Sequence, residues 1–147
     1  MPAHFYNPAS SRASLEEVVV LDESDSVKAA EVPWYDAVML YAAPGPDATG
    51  LPELWFLLRD LQEIKDYNKI LASHKEGRLY LAVAQGGSLL LANSFEAPDF
   101  NTAQYYIFLT LKQLQLNPEV SSIYLRSPVG AEDEMSLYRY FKSVENL

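Results

Sequence analysis

The sequence contains no cysteine, few basic residues and no long apolar run. The lack of cysteine excludes a disulfide framework, a thiol nucleophile and a thiolate metal site. Only 11 Lys and Arg stand against 20 Asp and Glu, which gives a formal net charge of −9. Such a chain lacks the basic face that nucleic-acid binding or an anionic membrane surface requires. We therefore expect no nucleic-acid partner and no insertion into a membrane.

The length and the N-terminal residues indicate a cytoplasmic chain with one core. A chain of 147 residues has the usual size of a single domain. Residues 1–14 lack the apolar segment of a signal peptide, and the longest apolar runs, 37–44 and 54–58, are too short to span a bilayer. We expect a single domain over residues 1–147, with an N-terminal strand-rich extension at 1–50 and the core at 51–147.

The first fifty residues carry signals for one short helix and several strands. Asn7 as N-cap and Pro8 at the first helical position predict a helix that runs to about Glu17. Three strands are predicted after it, at residues 18–21, 27–32 and 37–43, with Pro33 closing the second. The third is a continuous apolar run, which is typical of a strand buried on both faces.

Residues 64–75 follow a predicted helix and fit two structures. That helix runs from Leu51 to about Leu61, with leucines at 54, 57, 58 and 61 on one face. Apolar residues at 64, 67, 70 and 71 continue the helical period, which slightly favours one long helix to about His74. The alternative is a strand at 69–74 followed by a tight turn at Lys75-Glu76-Gly77.

The order of elements after residue 77 predicts a mixed sheet with helices packed on it. Strands at 78–84 and 88–95 flank Gln85-Gly86-Gly87, which is typical of a glycine hairpin. A helix at 103–116, capped by Asn101 or Thr102 and stopped by Asn117-Pro118, leads to a strand at 123–125. A helix between two strands usually forms a parallel crossover, so we expect an α/β fold. The last helix is predicted at 132–143, with a buried side formed by Met135, Leu137, Tyr138 and Phe141.

Three segments resemble an uncharacterised family, found mainly in Bacteroidetes, that has an actin-like ATPase fold and no known function. They are Leu89-Leu90-Leu91-Ala92-Asn93-Ser94-Phe95, the pair Tyr105-Tyr106 with Ile107, and residues 111–119, which end in Asn117-Pro118-Glu119. They are similar to the family's LLLxNSF strand, its tyrosine pair and its QLxLxPE helix end. Residues 36–44 also resemble its first apolar strand.

The resemblance extends from about Phe5 to the C terminus, with its specific part at 89–119, and matches only the later portion of the family's longer chains. It implies that residues 51–147 form the ribonuclease-H-like half of an actin-like ATPase fold. The connection between Leu51 and Arg78 is shorter than in the family. The matching residues are apolar, so the resemblance transfers a fold and no catalytic residue.

The hairpin at Gly86-Gly87-Ser88 is the nearest match to a phosphate cradle. In actin-like ATPases a glycine-rich hairpin that follows an acidic residue holds the nucleotide phosphates and the metal. Here the preceding strand contains neither an acidic residue nor a Lys. If residues 69–74 are the first strand, Ser73 or His74 stands where the acidic residue is expected. We interpret Gly86 and Gly87 as a plain tight turn.

The remaining polar clusters have structural explanations. Glu132, Asp133 and Glu134 would point about 100° apart on a helix and so would not converge on one metal; they complement the helix dipole instead. The segment at 22–25 lacks the glycine of a calcium loop. His4 lies near the terminus, and His74 borders a charged turn, as expected of a surface residue. We therefore assign no catalytic, cofactor-binding or metal-binding residue, and no cofactor.

The aromatic residues are the candidates for a partner surface, although most are explained by packing. On a helix, one of Tyr105 and Tyr106 faces in and the other partly out. The other candidates are Tyr138, Tyr140 and Phe141 on the last helix, and Trp34-Tyr35. We predict a non-catalytic protein that acts through a protein partner or self-association. The alternative is a nucleotide-binding protein whose cleft is completed by a second lobe or a second chain.

Overall fold

A computed structural model describes residues 1–16, 25–44 and 52–147, which divide into two compact units, Met1–Phe56 and Leu57–Leu147. The strand predicted at 18–21 lies outside the described residues, as do Leu51 and most of the acidic segment at 22–25. None of the helices in the described ranges combines the length and apolarity needed to cross a membrane.

The first unit contains a short helical segment and a two-stranded antiparallel sheet. A 3-10 turn at Pro8–Ser10 continues into helix α1, Ser11–Glu16. The Oδ1 atom of Asn7 accepts a hydrogen bond from the Ala9 N–H at 3.0 Å, so the predicted start of this helix is confirmed. Strand β1, Asp25–Val32, pairs with β2, Ala37–Pro44, through a 3-10 turn at Pro33–Tyr35.

The expectation that β2 is buried on both faces is wrong. Of its residues 37–41, Val38 is buried, whereas the others are partly exposed. The apolar run does form a strand, but its sheet contains two strands and does not enclose it.

The second unit is built on a mixed sheet of five strands in the order β5-β4-β3-β6-β7. Strands β3, β4 and β5 form an antiparallel meander, while β6 lies parallel to β3 and β7 lies parallel to β6. The parallel crossover and the mixed α/β sheet are therefore confirmed. The strands are β3, Asn68–Lys75; β4, Arg78–Gln85; β5, Ser88–Glu96; β6, Ser122–Leu125; and β7, Ser143–Asn146.

Three helices accompany the strands of this sheet. They are α2, Glu53–Leu61; α3, Phe100–Gln113, which connects β5 to β6; and α4, Ala131–Tyr138, which connects β6 to β7. The main core contains the buried side of α3, Ile107 and Leu111 among it, together with alternate residues of β3 and β4. Leu57, Leu58 and Leu61 of α2 are also buried, as the leucine spacing predicts.

The favoured helix over residues 64–75 is wrong, and the alternative strand is correct. Helix α2 ends at Leu61, and β3 carries a run of buried residues from Ile70 to Ser73. A central strand buried on both faces produces a continuous apolar run, which the helical period matches by coincidence. The turn after it is Glu76-Gly77, with φ values of 52° and 74°. A two-residue hairpin with positive φ at both positions follows the twist of its strands.

The last helix is shorter than predicted and is followed by a strand. Helix α4 ends at Tyr138, and β7 forms the parallel edge of the sheet. Leu137 and Phe141 are buried as expected, but Met135 is 65% exposed and Tyr138 50% exposed, so their predicted burial is wrong. The apolar spacing continues with a helical period up to residue 143, so the pattern does not show where the helix ends and β7 begins.

The N-cap of α3 is Asp99, rather than Asn101 or Thr102 as predicted. The Asp99 carboxylate accepts a hydrogen bond from the Thr102 N–H at 2.7 Å, and its backbone is extended at the helix entry. This bond lowers the pKa of Asp99 below its usual 3.8, and nearby His74 acts in the same direction. Asp99 therefore satisfies an otherwise unpaired donor of the helix end.

We expect Asp99→Ala to lower the melting temperature by roughly a few degrees, because the Thr102 N–H loses its acceptor. Asn101→Ala is the matched control, since it removes a neighbouring polar side chain that does not cap the helix. Thermal unfolding followed by circular dichroism checks both. If Asn101→Ala destabilises the protein more than Asp99→Ala does, the assignment of the cap is wrong.

The stabilisation by Asp99 should also depend on pH. A carboxyl whose pKa is lower in the folded state stabilises it above the unfolded pKa and loses this effect as pH falls through the folded pKa. The difference in stability between the wild type and Asp99→Ala should therefore be full at pH 6 and shrink as pH falls below about 3.8. Paired denaturant titrations across this range measure it; a difference that does not change with pH contradicts an ionised cap.

Candidate functional site

The two hairpins of the meander lie at opposite ends of β3. Glu76-Gly77 follows the carboxyl end of this strand, while Gly86-Gly87 lies beside its amino end, where Asn68 pairs with Gln85. In sheets of this kind ligands usually bind at the carboxyl ends of the parallel strands. The glycine pair and the position of Ser73 or His74, where actin-like ATPases are expected to have an acidic residue, are therefore not brought together.

The polar groups at the carboxyl end of β3 bond to the chain itself. The Ser127 Oγ accepts from the His74 N–H at 3.0 Å and donates to the His74 carbonyl at 3.2 Å, extending the contact of β3 with the end of β6. The His74 Nε2 donates to the Ala97 carbonyl at 2.7 Å, and its ring lies 5.8 Å from that of Phe100. Strand β3 therefore has no carboxylate at position 73 or 74, where actin-like ATPases are expected to have one.

Asp60 forms an ion pair between α2 and the residue after β6. Its Oδ2 accepts from Arg126 Nε at 3.0 Å and its Oδ1 from Arg59 Nε at 2.9 Å. The Asp60 side chain is only 16% exposed. Both carboxylate oxygens thus bind guanidinium groups, and the cluster joins two elements of the second unit.

The hairpin at Gly86 is confirmed as a tight turn. Gln85 pairs with Ser88, and Gly86 has a φ of 55°, as the first position of a two-residue turn with a single positive φ requires. The Gly86 N–H donates to the Tyr67 carbonyl at 2.9 Å, and the Gly86 carbonyl accepts from Lys69 Nζ at 2.8 Å. The Gly86 N–H is therefore already bonded and is not directed at a phosphate.

The other polar candidates lie apart from one another. Glu132, Asp133 and Glu134 occupy the first turn of α4, as the helix-dipole explanation expects. His4 lies in a 3-10 turn of the first unit, and Asp25 begins β1. Within residues 1–16, 25–44 and 52–147, no three His, Asp or Glu residues are grouped so that they could hold a metal ion.

A polar pocket of about 300 Å³ lies at the amino ends of β3 and β6, and sequence reasoning missed it. Asn68 Nδ2 donates to Ser121 Oγ at 3.1 Å, and Asp66 Oδ2 accepts from the Tyr124 hydroxyl at 3.2 Å. Burial, and then the charge of Asp66, raise the pKa of Tyr124. The residues that line the pocket come from distant parts of the chain, at or just before the starts of three strands, and no spacing motif in the sequence links them. These are Asp66, Tyr67, Asn68, Val120, Ser121, Ser122 and Lys142.

An exposed aromatic platform lies where α3 packs beside β5. The rings of Phe95 and Tyr106 are stacked at 4.7 Å, and Tyr105 contacts Tyr106 edge-on at 5.4 Å. Tyr105 is 61% exposed, so the prediction that one tyrosine faces in and the other out is confirmed. Together with the outer strand β5, Tyr105, Tyr106 and Phe95 form what we call the β5 edge surface.

The other aromatic candidates pack within their own units. Phe141 is buried, as expected of the predicted inner side of the last helix, so it is not part of an exposed surface, whereas Tyr138 and Tyr140 are each 50% exposed. Tyr140 contacts Phe108 edge-on at 4.8 Å, and the half-exposed Tyr138 donates its hydroxyl to the Val144 carbonyl at 3.1 Å.

The predicted pair Trp34-Tyr35 lies in the 3-10 turn of the first unit. The ring of Trp34 lies 5.5 Å from that of Trp55, whose indole N–H bonds the Glu31 carbonyl at 3.0 Å. Burial raises the pKa of Tyr35, and its hydroxyl has no hydrogen-bond partner among the described residues. This pair therefore packs within its unit instead of forming an open platform.

A solved structure shares this fold over the whole chain. A protein of Bacteroides thetaiotaomicron VPI-5482, described as having an actin-like ATPase fold and unknown function, aligns with a TM-score of 0.81 and 18% sequence identity. The alignment covers 100% of this chain and 63% of that protein, so the chain spans less than two thirds of its neighbour's length. The likeness establishes an actin-like ATPase fold, as the resemblance implied.

No curated protein matches the chain. The profile of a family described as "Protein of unknown function (DUF3822)" matches residues 48–144, which include every segment of the specific resemblance at 89–119. Because the match spans more than half of the sequence, the chain belongs to the DUF3822 family of proteins of unknown function.

Proposed function

We propose that this chain is a non-catalytic protein with an actin-like fold that acts by contacting another protein through the β5 edge surface. The observation that carries this proposal is Tyr105, which is 61% exposed on a helix that packs beside an outer strand. Tyrosine is enriched in protein interfaces, because its large ring adds contact area at a low cost in conformational entropy. Tyr106 and Phe95 pack against the core, whereas Tyr105 contacts it only through the edge of Tyr106.

The strand itself supports a contact through its backbone. None of the nine residues of β5 is buried, whereas five of the eight in β4 are. Outer strands are normally protected by charged side chains or proline, because their unpaired N–H and C=O groups can pair with another strand. From Leu79 to Phe95 the chain has neither, and β5 carries a single charge, at Glu96.

The alternative, a nucleotide-binding protein, is motivated by the actin-like ATPase fold of the structural neighbour. Phosphate binding requires free N–H groups and compensating positive charge, and catalysis requires carboxylates that hold magnesium. In this chain the Gly86 N–H bonds a carbonyl, Asp60 bonds two arginines, and the net charge of −9 repels a polyphosphate. These features favour the contact protein over the nucleotide-binding one.

We expect millimolar ATP with magnesium to leave the melting temperature of the purified chain unchanged. A ligand at about a hundred times its dissociation constant would add roughly 2.7 kcal/mol to the free energy of unfolding. A thermal-shift titration, with ADP as a second probe and magnesium alone as the control, measures this. A reproducible, saturable rise of several degrees would favour the nucleotide-binding alternative instead.

The contact itself predicts a specific effect of Tyr105. In native extract the wild-type chain should migrate at a mass larger than one chain, and Tyr105→Glu should shift it towards the mass of the free chain. Met135→Glu is the matched control, because Met135 is 65% exposed and lies on α4 instead of the β5 edge surface. Size-exclusion profiles of the tagged variants test this; if Tyr105→Glu migrates like the wild type, the surface is wrongly assigned.

A further inference from the structure

We propose that the partner at the β5 edge surface is a second copy of this chain, with the two β5 strands paired antiparallel about a two-fold axis at Asn93. This inference rests on the proposed function and names its partner.

The backbone of β5 offers a regular pairing segment. Among the described residues β5 pairs with β4 alone. Val83 pairs with Leu91 and Ala84 with Leu89, so Leu90 is the extra residue of a β-bulge and regular pairing runs from Leu91 to Glu96. Within it the Ser94 N–H donates to Asn93 Oδ1 at 2.8 Å, an exposed local bond that a carbonyl of a partner strand can replace.

A two-fold axis at Asn93 produces matched pairs of side chains. Residues whose numbers sum to 186 then lie opposite each other, which places Leu91 opposite Phe95 of the second copy. Both side chains pack against the core, and the ring of Phe95 stacks on that of Tyr106 in α3. Pairs of an aromatic and an aliphatic residue across strands stabilise antiparallel sheets. The small residues Ala92 and Ser94 lie opposite each other on the other face.

The charge distribution permits a second copy at this edge, although the chain as a whole is acidic. Two chains of net charge −9 repel each other, so they can associate only where the contact itself is free of charge. The uncharged stretch from Leu79 to Phe95 provides this, and no carboxylate stands opposite another in the regular pairs. A basic segment would find a single carboxylate along β5, that of Glu96 at the end of the strand.

Two-fold symmetry explains why pairing through the uncharged edge of β5 would stop at two copies and would not continue into a larger aggregate. Pairing of β5 with β5 is self-complementary and closes after two copies, joining two five-stranded sheets and covering both uncharged edges. The opposite edge of each sheet is β7, which has only four residues and carries Glu145. A short, charged edge resists further addition. The expected assembly is therefore a dimer.

Charge substitution at the axis tests the proposal, because Asn93 would face its own copy. Sedimentation of the purified chain over about 1–100 μM should show a dimer. Asn93→Glu and Asn93→Lys should each weaken dimerisation roughly tenfold or more, since like charges would then be juxtaposed at an interface. An equimolar mixture of the two should restore it as a heterodimer, because opposite charges then meet. Loss of folding could not produce this rescue.

Met135→Glu and Met135→Lys are the controls, and each should dimerise like the wild type. A wild-type chain that sediments as a monomer throughout overturns the proposal, as do Asn93 variants that dimerise normally or a mixture that shows no rescue. These failures differ from a failure of the proposed function. If the purified chain is a monomer but Tyr105→Glu still loses its complex in native extract, the contact function stands with a different partner.

Discussion

The structure of the second unit depends on the pairing of β3 on both of its edges. This strand bonds β4 in antiparallel register over its whole length and β6 in parallel register at Leu71 and Ala72. It also places buried side chains on both faces, which makes it the centre of the sheet. The pairing of β3 also fixes which ends of β3, β4 and β6 lie at the same edge of the sheet. Polar side chains lie at both ends of β3, and the hairpin at Gly86-Gly87 lies at its amino end.

The chain shares the actin-like ATPase fold, but the polar groups of its described residues do not form the phosphate and metal site of such an ATPase. The likeness to a solved neighbour establishes the actin-like ATPase fold, yet the polar groups of His74, Ser127 and Asp60 at the carboxyl ends of β3 and β6 and on α2 are bonded within the chain. His74 is held by Ser127 and Ala97, and Asp60 by two arginines. What the second unit presents outward is an uncharged strand with tyrosines beside it. The proposed protein contact rests on that surface, whereas a nucleotide-binding function would rest only on analogy of fold.

The sequence was sufficient wherever a local rule decided the structure. The glycine hairpin at Gly86, the central helix and its crossover, and the opposite orientations of Tyr105 and Tyr106 all follow from turn chemistry and periodicity. The prediction from the sequence was wrong where one pattern fits two structures, because Ile70 and Leu71 fit a helix face and also a strand buried on both faces. Asp99 was missed as a cap because Pro98 marked a break there. The pocket around Asp66 and Ser121 depends on tertiary contacts between distant residues, and no spacing in the sequence encodes it.

Amide hydrogen exchange of the purified chain tests whether the outer strand β5 pairs with a strand of a second copy. Exchange in β3 should be slow and independent of protein concentration, because both edges of that strand are paired within the chain. Protection of β5 should instead rise with concentration as its free edge becomes paired. If the protection of β5 does not change with protein concentration, β5 does not pair with a second copy, and the proposed dimer is contradicted.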